Sequence, residues 1–408
     1  MATVSLSIEL DGSPAPASLV NALQQVQVTQ GDKAPSTFSM TFHDERLASG
    51  TDFPLLQNPQ LQPWTRVTLT TAVNGSASTL IDGYITGRQL APGWGPGGTS
   101  VTVSGEDVSV KMNMIEISFD YPLMGDFRIV EAVLAKYLVF KILPDAQPSL
   151  ADVVPFSFVP QQNGTDRTYL QDLAQKHGYR FYVTPGPGKG WNKAYWGPPD
   201  LGATPQTTLT VDMGPLTNVE SIQFGENVLA PTMTYGMVPQ TTIPPPVPQR
   251  LPVGAFASTR SPALAADPVM GGYGDAITEL FTNPLTALSK LLELQVRGSL
   301  FQTTNLGPAQ DQSLGILQAL PTAAGITNDS TDEVLTAQGR LATSRYGAVL
   351  NAPGVVAVRG AGDSCDGLYY VKEVQHSIDV RPGSWDYTQD FTLTREGTGS
   401  TIQEVPDA

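Results

Sequence analysis

The chain is poor in the residues that most chemistry needs. It has one cysteine in 408 residues, which excludes an intrachain disulfide and a thiolate metal site. That residue, Cys365, stands beside Asp366 and Gly367 with no basic neighbour in sequence to activate it. The three histidines, His43, His177 and His376, are far apart, and none has the short spacing of a two-histidine zinc motif. Structural roles are expected for all three. A Ser-His-Asp triad needs no such spacing, but no Gly-x-Ser-x-Gly elbow is present. Basic residues are also scarce, 23 Lys and Arg against 38 Asp and Glu for a net charge of −15. No basic cluster exists to displace counterions, so stable nucleic-acid binding is not expected. The acidity suits solubility, or a surface that repels passing polyanions. Long hydrophobic runs are missing too. The most apolar helical stretch, residues 126–143, is broken by Arg128, Glu131, Lys136 and Lys141, short of the roughly 20 apolar residues of a span. Residues 1–10 have no basic region and already alternate like a strand, so they do not read as a signal peptide. The expectation is a protein made and kept soluble in the cytoplasm, without membrane insertion.

What is abundant is turn chemistry. The 39 glycines and 34 prolines, among many Ser and Thr, imply a turn-rich β protein. The length implies two or three domains. Residues 1–110 read as a first β domain. Val4, Leu6, Ile8 and Leu10 alternate with polar residues, as do Phe38, Met40 and Phe42, then Val67 and Leu69, then Val101 and Val103. Asp11-Gly12 supplies a turn, and the Pro92–Gly98 stretch a hairpin loop. Residues 111–200 turn α/β. Asp126 caps a helix with Ile129, Val130, Val133, Leu134, Tyr137 and Leu138 inward. Residues 185–200 read as an exposed loop on which Trp191 and Trp196 mark a contact surface or pack back on their own domain. Residues 201–240 and 335–398 form a second β domain, and the last residues, 399–408, a polar tail. Between them, 241–334 is a proline-rich linker and helical insertion. One helix follows Asn283-Pro284 with Leu285, Leu288, Leu291, Leu292 and Gln295 on a face. Another starts near Asp332 with Leu335, Gln338, Leu341, Ala342 and Tyr346 in register.

One pattern occurs twice. Asp82-Gly83 opens a strand, a Pro/Gly-rich turn follows, and a second strand ends at Gly105-Glu106. Asp366-Gly367 does the same, through Arg381-Pro382-Gly383-Ser384 to Arg395-Glu396-Gly397. This reads as one β module used twice, with helical material spliced into the second copy. Other local patterns carry no chemistry. Gly186-Pro187-Gly188-Lys189-Gly190 is not a phosphate loop, since its Lys is followed by Gly and its prolines lack N–H groups. The adjacent acids Asp44-Glu45 and Glu106-Asp107 point to opposite sides of a strand, and Asp332-Glu333 suits a helix N-terminus. No catalytic, cofactor-binding or metal-ligating residue is assigned, and an enzyme is not expected.

The stretch Thr165–Val183 organises the middle of the chain. Asp166 or Thr168 can cap a helix; Leu170, Leu173, Ala174 and His177 share its apolar face. Gly178 ends it, and Tyr179, Phe181 and Val183 alternate with polar neighbours as a strand. The pattern Tyr-Leu-x-x-Leu-Ala-x-x-His-Gly-Tyr-x-Phe-Tyr-Val resembles a marker of the late-control-D family of phage tail proteins. That family includes the baseplate hubs of contractile tails and the hub part of VgrG-type type VI spikes. Ile81-Asp82-Gly83-Tyr84-Ile85-Thr86-Gly87 with Gly105-Glu106-Asp107, and Gly367-Leu368-Tyr369-Tyr370-Val371 with His376-Ser377-Ile378, are similar to it in the same order. The likeness touches roughly residues 1–240 and 330–398.

The resemblance implies a mainly β (α+β) fold: two tail-tube-like barrel or sandwich domains, and a helical outer domain formed by 111–200 with 241–334. It implies a homotrimer with pseudo-six-fold symmetry, a structural hub adapting a six-fold tail tube to a three-fold spike. The partners implied are the tail tube protein, a separate trimeric spike, baseplate wedge proteins and a tape-measure protein, within a virion tail or injection-system baseplate. Two further readings stay open. One is a hub with added peptidoglycan hydrolysis. The other is a stand-alone carbohydrate-binding β protein, resting on Trp94, Trp191 and Trp196.

Overall fold

A computed structural model of the chain describes residues 3–44, 53–93, 98–148, 159–227, 230–239, 250–255, 260–268, 302–305, 316–381 and 384–401. The expected helix after Asn283, linker residues 241–249, Glu45, Trp94 and residues 402–408 of the tail lie outside the described residues. The fold is mainly β with helical additions, as the alternating patterns imply.

Six strands near the N-terminus make a first β unit: Val4–Leu10, Leu23–Gly31, Thr37–His43, Arg66–Val73, Ser76–Ala91 and Ser100–Asp107. Two-residue alternation explains their placement. Phe38, Met40 and Phe42 are buried while Ser39 and Thr41 face away. Fully burying each such apolar side chain contributes about 1.5–3 kcal/mol, so a one-residue slip of register would forfeit the whole row. Tight turns at Asp11-Gly12 and Asn74-Gly75 hold positive φ at both residues, the geometry that matches strand twist. Across the unit the spatial order is Leu23–Gly31, Thr37–His43, Ser100–Asp107, Ser76–Ala91, Arg66–Val73, Val4–Leu10, antiparallel throughout.

A second unit repeats this plan with Gln206–Thr210, Val219–Glu226, Leu335–Ala342, Gly354–Arg359, Gly367–Arg381 and Ser384–Arg395. Its spatial order is the same when strands are matched by rank along the chain. Two irregularities repeat as well. Register slips by one residue between Ile85 and Gly87 against Gly105 and Ser104, and likewise between Val371 and Glu373 against Leu393 and Thr392. It also slips between Leu23 and Gln25 against Phe42 and Thr41, and between Val219 and Ser221 against Leu341 and Arg340. Such bulges are specific features of a sheet rather than noise. They make Thr86 the counterpart of Lys372 and Gln24 that of Glu220. The Asp-Gly pattern in the sequence therefore aligns the units about two residues off, since Gly83 corresponds to Tyr369 rather than Gly367.

The units are joined edge to edge. The long Gly367–Arg381 strand pairs first with Gly354–Arg359 and then, over Glu373–Asp379, with Gln25–Gly31 of the first unit. One continuous sheet results.

Between the units sits an α/β body. Helix Asp166–His177 starts at Thr165, whose hydroxyl accepts from the Thr168 N–H, and ends at left-handed Gly178. Neither Asp166 nor Thr168 is the cap. Helix Asp126–Ala135 is capped at Gly125 rather than Asp126, and a 3-10 turn, Lys136–Phe140, follows it. Leu138, expected inward, is exposed. Within the expected loop at 185–200, residues Asn192–Gly197 form a strand, and Trp196 is fully buried. Its indole N–H donates to Leu170 O at 3.2 Å, so it packs on its own body.

Among the described residues, the segment after the second unit's Val219–Glu226 strand holds strands as well as a helix. Strand Thr232–Pro239 lies between Arg250–Ala255 and Gln302–Asn305, and helix Ile316–Thr331 leads back to the second unit. No helix starts at Asp332. Leu335–Ala342 is a strand with Leu335, Ala337 and Leu341 buried on one side, and Tyr346 lies on the short helix Thr343–Tyr346 that follows. Asp332-Glu333 therefore follows a helix C-terminus, where carboxylates need cations rather than a helix dipole.

Candidate functional surface

Directly opposed residues in a sheet share a face, so the registers define the surface that the joined units present. One row runs Gln89, Thr102, Thr41, Gln25, Asp379, Asp386 across six strands. The next runs Ser104, Ser39, Gln27, Ser377, Thr388. A third runs Glu106, Thr37, Thr29, Gln375, Asp390, Arg340. The intervening rows, such as Val103, Met40, Val26 and Ile378, form the core. The open face is hydroxyl- and amide-rich. Thr41 and Thr102 hydroxyls meet at 3.2 Å, and Gln25 donates to Asp379 at 2.8 Å. As far as Glu106, the traced rows of the first unit carry one charge, Glu106 itself, taken up by Arg167 at 2.7 Å; beyond it the third row continues through Tyr84 to Arg66, which is bound to Asp82 at 2.7 Å. Within the second, Asp379, Asp386 and Asp390 outnumber Arg340, which is bound in a bidentate pair to Asp390 at 2.6 and 2.9 Å.

Beside the traced rows, two strands keep one side without a strand partner among the described residues. The outer side of Val219–Glu226 is one, since that strand pairs only with Leu335–Ala342. The far half of Ser76–Ala91 is the other, because Arg66–Val73 stops pairing at Tyr84.

The three histidines lie in separate parts of the fold. His376 is buried in the joint between units with its Nδ1 at 2.9 Å from the Tyr387 hydroxyl, and burial pushes it down to about 3. His177 is buried against Trp196, with Nε2 2.8 Å from Asp126 Oδ2. Burial alone would raise Asp126, but the His177 hydrogen bond and the Lys176 charge outweigh it and hold the carboxyl at about 2. His43 lies on the open face beside Ser100. The structure does not bring the three together, and no group of three His, Cys, Asp or Glu able to hold a metal occurs among the described residues. The Cys365 thiol is pushed up by burial, the direction opposite to activation. Its carbonyl accepts from the Tyr369 hydroxyl while Arg395, stacked 4.4 Å over the Tyr369 ring, donates to Ser364 O and Asp366 O. That corner is a built turn.

Of the acid pairs, Asp107 is buried and its carboxyl rises to about 6, as burial outweighs hydrogen bonds from the Ser109 and Ser36 N–H groups and the Arg167 charge. Its oxygens are spent on those N–H groups. Asp332-Glu333 belongs to a cluster that sequence distance hides. Arg180, 4% exposed at its side chain, binds Asp32 at 2.7 Å, Asp329 at 2.6 Å and Asp332 at 2.9 Å. Arg260 adds to Asp332, Lys33 to Asp329 and Glu333, and Lys372 to Glu333. Four cations thus meet four carboxylates where both units, the middle body and the insertion converge. The glycine-rich loop at 186–190 borders a polar cleft of about 310 Å³ with Trp191 at its rim. Lys189 there is tied to Glu9 at 2.7 Å, and Gly190 O accepts from Arg66, which is bidentate to Asp82.

No protein-family model and no curated protein matches the chain. Solved structures do. A tail protein from Neisseria meningitidis MC58 superposes with a TM-score of 0.59 at 12% identity, over 97% of this chain and 98% of that one. The 43 kDa tail protein of prophage MuSo2 from Shewanella oneidensis gives 0.58 at 11%, over 97% and 99%. The E. coli c3393 protein gives 0.53 at 11%, over 98% and 80%. The likeness is one of fold.

Proposed function

We propose that this chain is the structural hub of a contractile tail-like particle, adapting a six-fold tube to a three-fold spike. The observation that carries this reading is the repeat: two units with one strand order and the same two bulges, joined edge to edge in one sheet. Three copies of such a chain present six similar units around a true three-fold axis. The solved relatives of similar length are tail proteins. The c3393 protein is described as a type VI secretion component with structural similarity to the bacteriophage T4 tail proteins gp27 and gp5. In this reading residues 1–110, and 201–226 with 335–398, are the tube-like domains, and 111–200 with the long connection, into whose sheet strand Thr232–Pro239 of the expected second domain falls, lie outside. The polar face lines a passage that a polyanionic cargo crosses without binding, because hydroxyls, amides and carboxylates offer it no cationic track. The partners are two further copies, a tube protein, a separate trimeric spike, wedge proteins and a tape-measure protein. The hub carries no catalytic role, and a cleared band in a peptidoglycan zymogram would overturn that part.

The decisive experiment is the solution mass by light scattering together with negative-stain imaging. A mass near three times 43.4 kDa with ring-shaped particles is expected. A monomer at every accessible concentration overturns the reading.

A further inference from the structure

We propose that the Arg88–Ala91 edge of one copy takes the Gln223–Glu226 edge of the next as an antiparallel strand, reproducing between chains the joint that each chain holds internally. This rests on the hub reading above and names the surface through which its copies meet.

The internal joint supplies the template. There Val374 lies opposite Gln30, Gln375 opposite Thr29, His376 opposite Val28 and Ser377 opposite Gln27. The bulge after Ile85 and the bulge after Val371 fix Arg88 as the counterpart of Val374 and Ala91 as that of Ser377. The bulges after Leu23 and Val219 fix Gln223 as the counterpart of Gln27 and Glu226 as that of Gln30. The internal joint thus uses the tail of the second unit's hairpin and the second strand of the first unit. The same two elements of the opposite units, the tail of the first unit's hairpin and the second unit's Val219–Glu226 strand, each keep one side without a strand partner among the described residues.

Transferring the register pairs residues that suit each other. Arg88 falls opposite Glu226 and Leu90 opposite Phe224, while Ala91 meets Gln223 on the polar face. The first pair is a charge match, and opposed charges across a strand pair are favourable where like charges repel. The second brings together two half-buried apolar side chains, each already packed on the rim of its own core. Arg88 now donates to Leu56 O at 2.8 Å, which holds its stem at the edge with other N–H groups to spare. An unpaired edge is a template for further strands, and a head-to-tail joint of this kind closes a ring when the rotation allows.

Opposed Cα atoms of an antiparallel pair lie about 4.5–5.5 Å apart, within the roughly 4.4–6.8 Å that a disulfide spans. The test is therefore Ala91→Cys with Gln223→Cys on one chain in a Cys365→Ser background. After oxidation, chain-to-chain disulfides ending at a linked trimer are expected, and each single variant stays unlinked. Charge reversal gives an independent readout. Arg88→Glu or Glu226→Arg alone weakens assembly at least tenfold at low salt, and the two together restore it, which a merely misfolded variant would not do. Trimers that neither cross-link nor respond to the reversals overturn this joint and leave the hub reading standing. Monomers in the unsubstituted protein overturn both.

Discussion

The two β units share a plan and differ in three respects. The opening strand of the first, Val4–Leu10, is antiparallel to its neighbour, whereas Gln206–Thr210 runs parallel to Gly354–Arg359. The second and third strands are linked by residues 32–36 in one unit and by 227–334 in the other. Over the rows from Gln89, Ser104 and Glu106 inward, the polar face holds one paired acid in the first unit and a surplus of carboxylates in the second. What repeats is the inner sheet with its hairpin and bulges. What varies lies at the ends of strands and on the solvent side. Pairing and core registration are thus the conserved physical requirement within this one chain, while connection length and face charge are adjustable.

The comparison can be broken most strongly at the charge cluster that binds the long connection to the first unit. Arg180→Ala takes the buried cation away from buried Asp32 and one of two cations from each of Asp329 and Asp332. It should cost about 3–5 kcal/mol, the range for removing one partner of a buried ion pair, seen as a lower denaturation midpoint. A glycine that only one unit has comes next. A Cβ at Gly83 would strike the Glu106 carbonyl, so Gly83→Ala should cost about 1–3 kcal/mol, the usual range for overpacking. The second unit, with Tyr369 at the matching place, has no such constraint.

A pH titration separates the units further, because the second buries His376 where the first has Leu90. Its folded pKa of about 3 lies below the unfolded value of about 6.5. The unfolded chain thus binds the extra proton between those values, and stability falls as pH drops through that window, by up to about 1.4 kcal/mol per pH unit. His376→Leu, which gives the second unit the first unit's residue, should flatten that slope in acid denaturation curves. The smallest effect is expected at Arg340–Asp390 on the polar face. This pair is largely exposed, so Asp390→Asn should change stability by about 0.2–1 kcal/mol and less at high salt.

Much of the first unit was legible because period-two alternation and Asp-Gly or Asn-Gly turns are local signals. The helix at Asp166–His177 was legible for the same reason, down to its glycine stop. Leu335–Ala342 is ambiguous in sequence, because Leu335, Gln338, Leu341 and Ala342 fit a helical face while Leu335, Ala337, Gly339 and Leu341 fit a strand equally well. Pairing with Val219–Glu226 and Ser384–Arg395 decides it. Gly339 was the missed clue, since a Cβ there would collide with Ser221 O and the Phe391 ring. Around Trp196 the sequence carries no local sign that Asn192–Gly197 pairs with strands on both sides. The Arg180 cluster left no trace in sequence, because Asp32, Asp329 and Asp332 are distant along the chain and only the fold brings them near. The same holds for the unpaired edges, which exist only once every other strand has found its partner.

The long connection leaves the second unit at Glu226 and returns at Leu335, and those two residues face each other across one strand pair. Topologically the whole insertion is a hairpin loop. Because closing a loop costs entropy that grows only slowly with its length, the sheet is nearly indifferent to what is carried there. A foreign domain whose own ends lie close together could be grafted at this point, making the second unit a ready attachment point for engineered cargo.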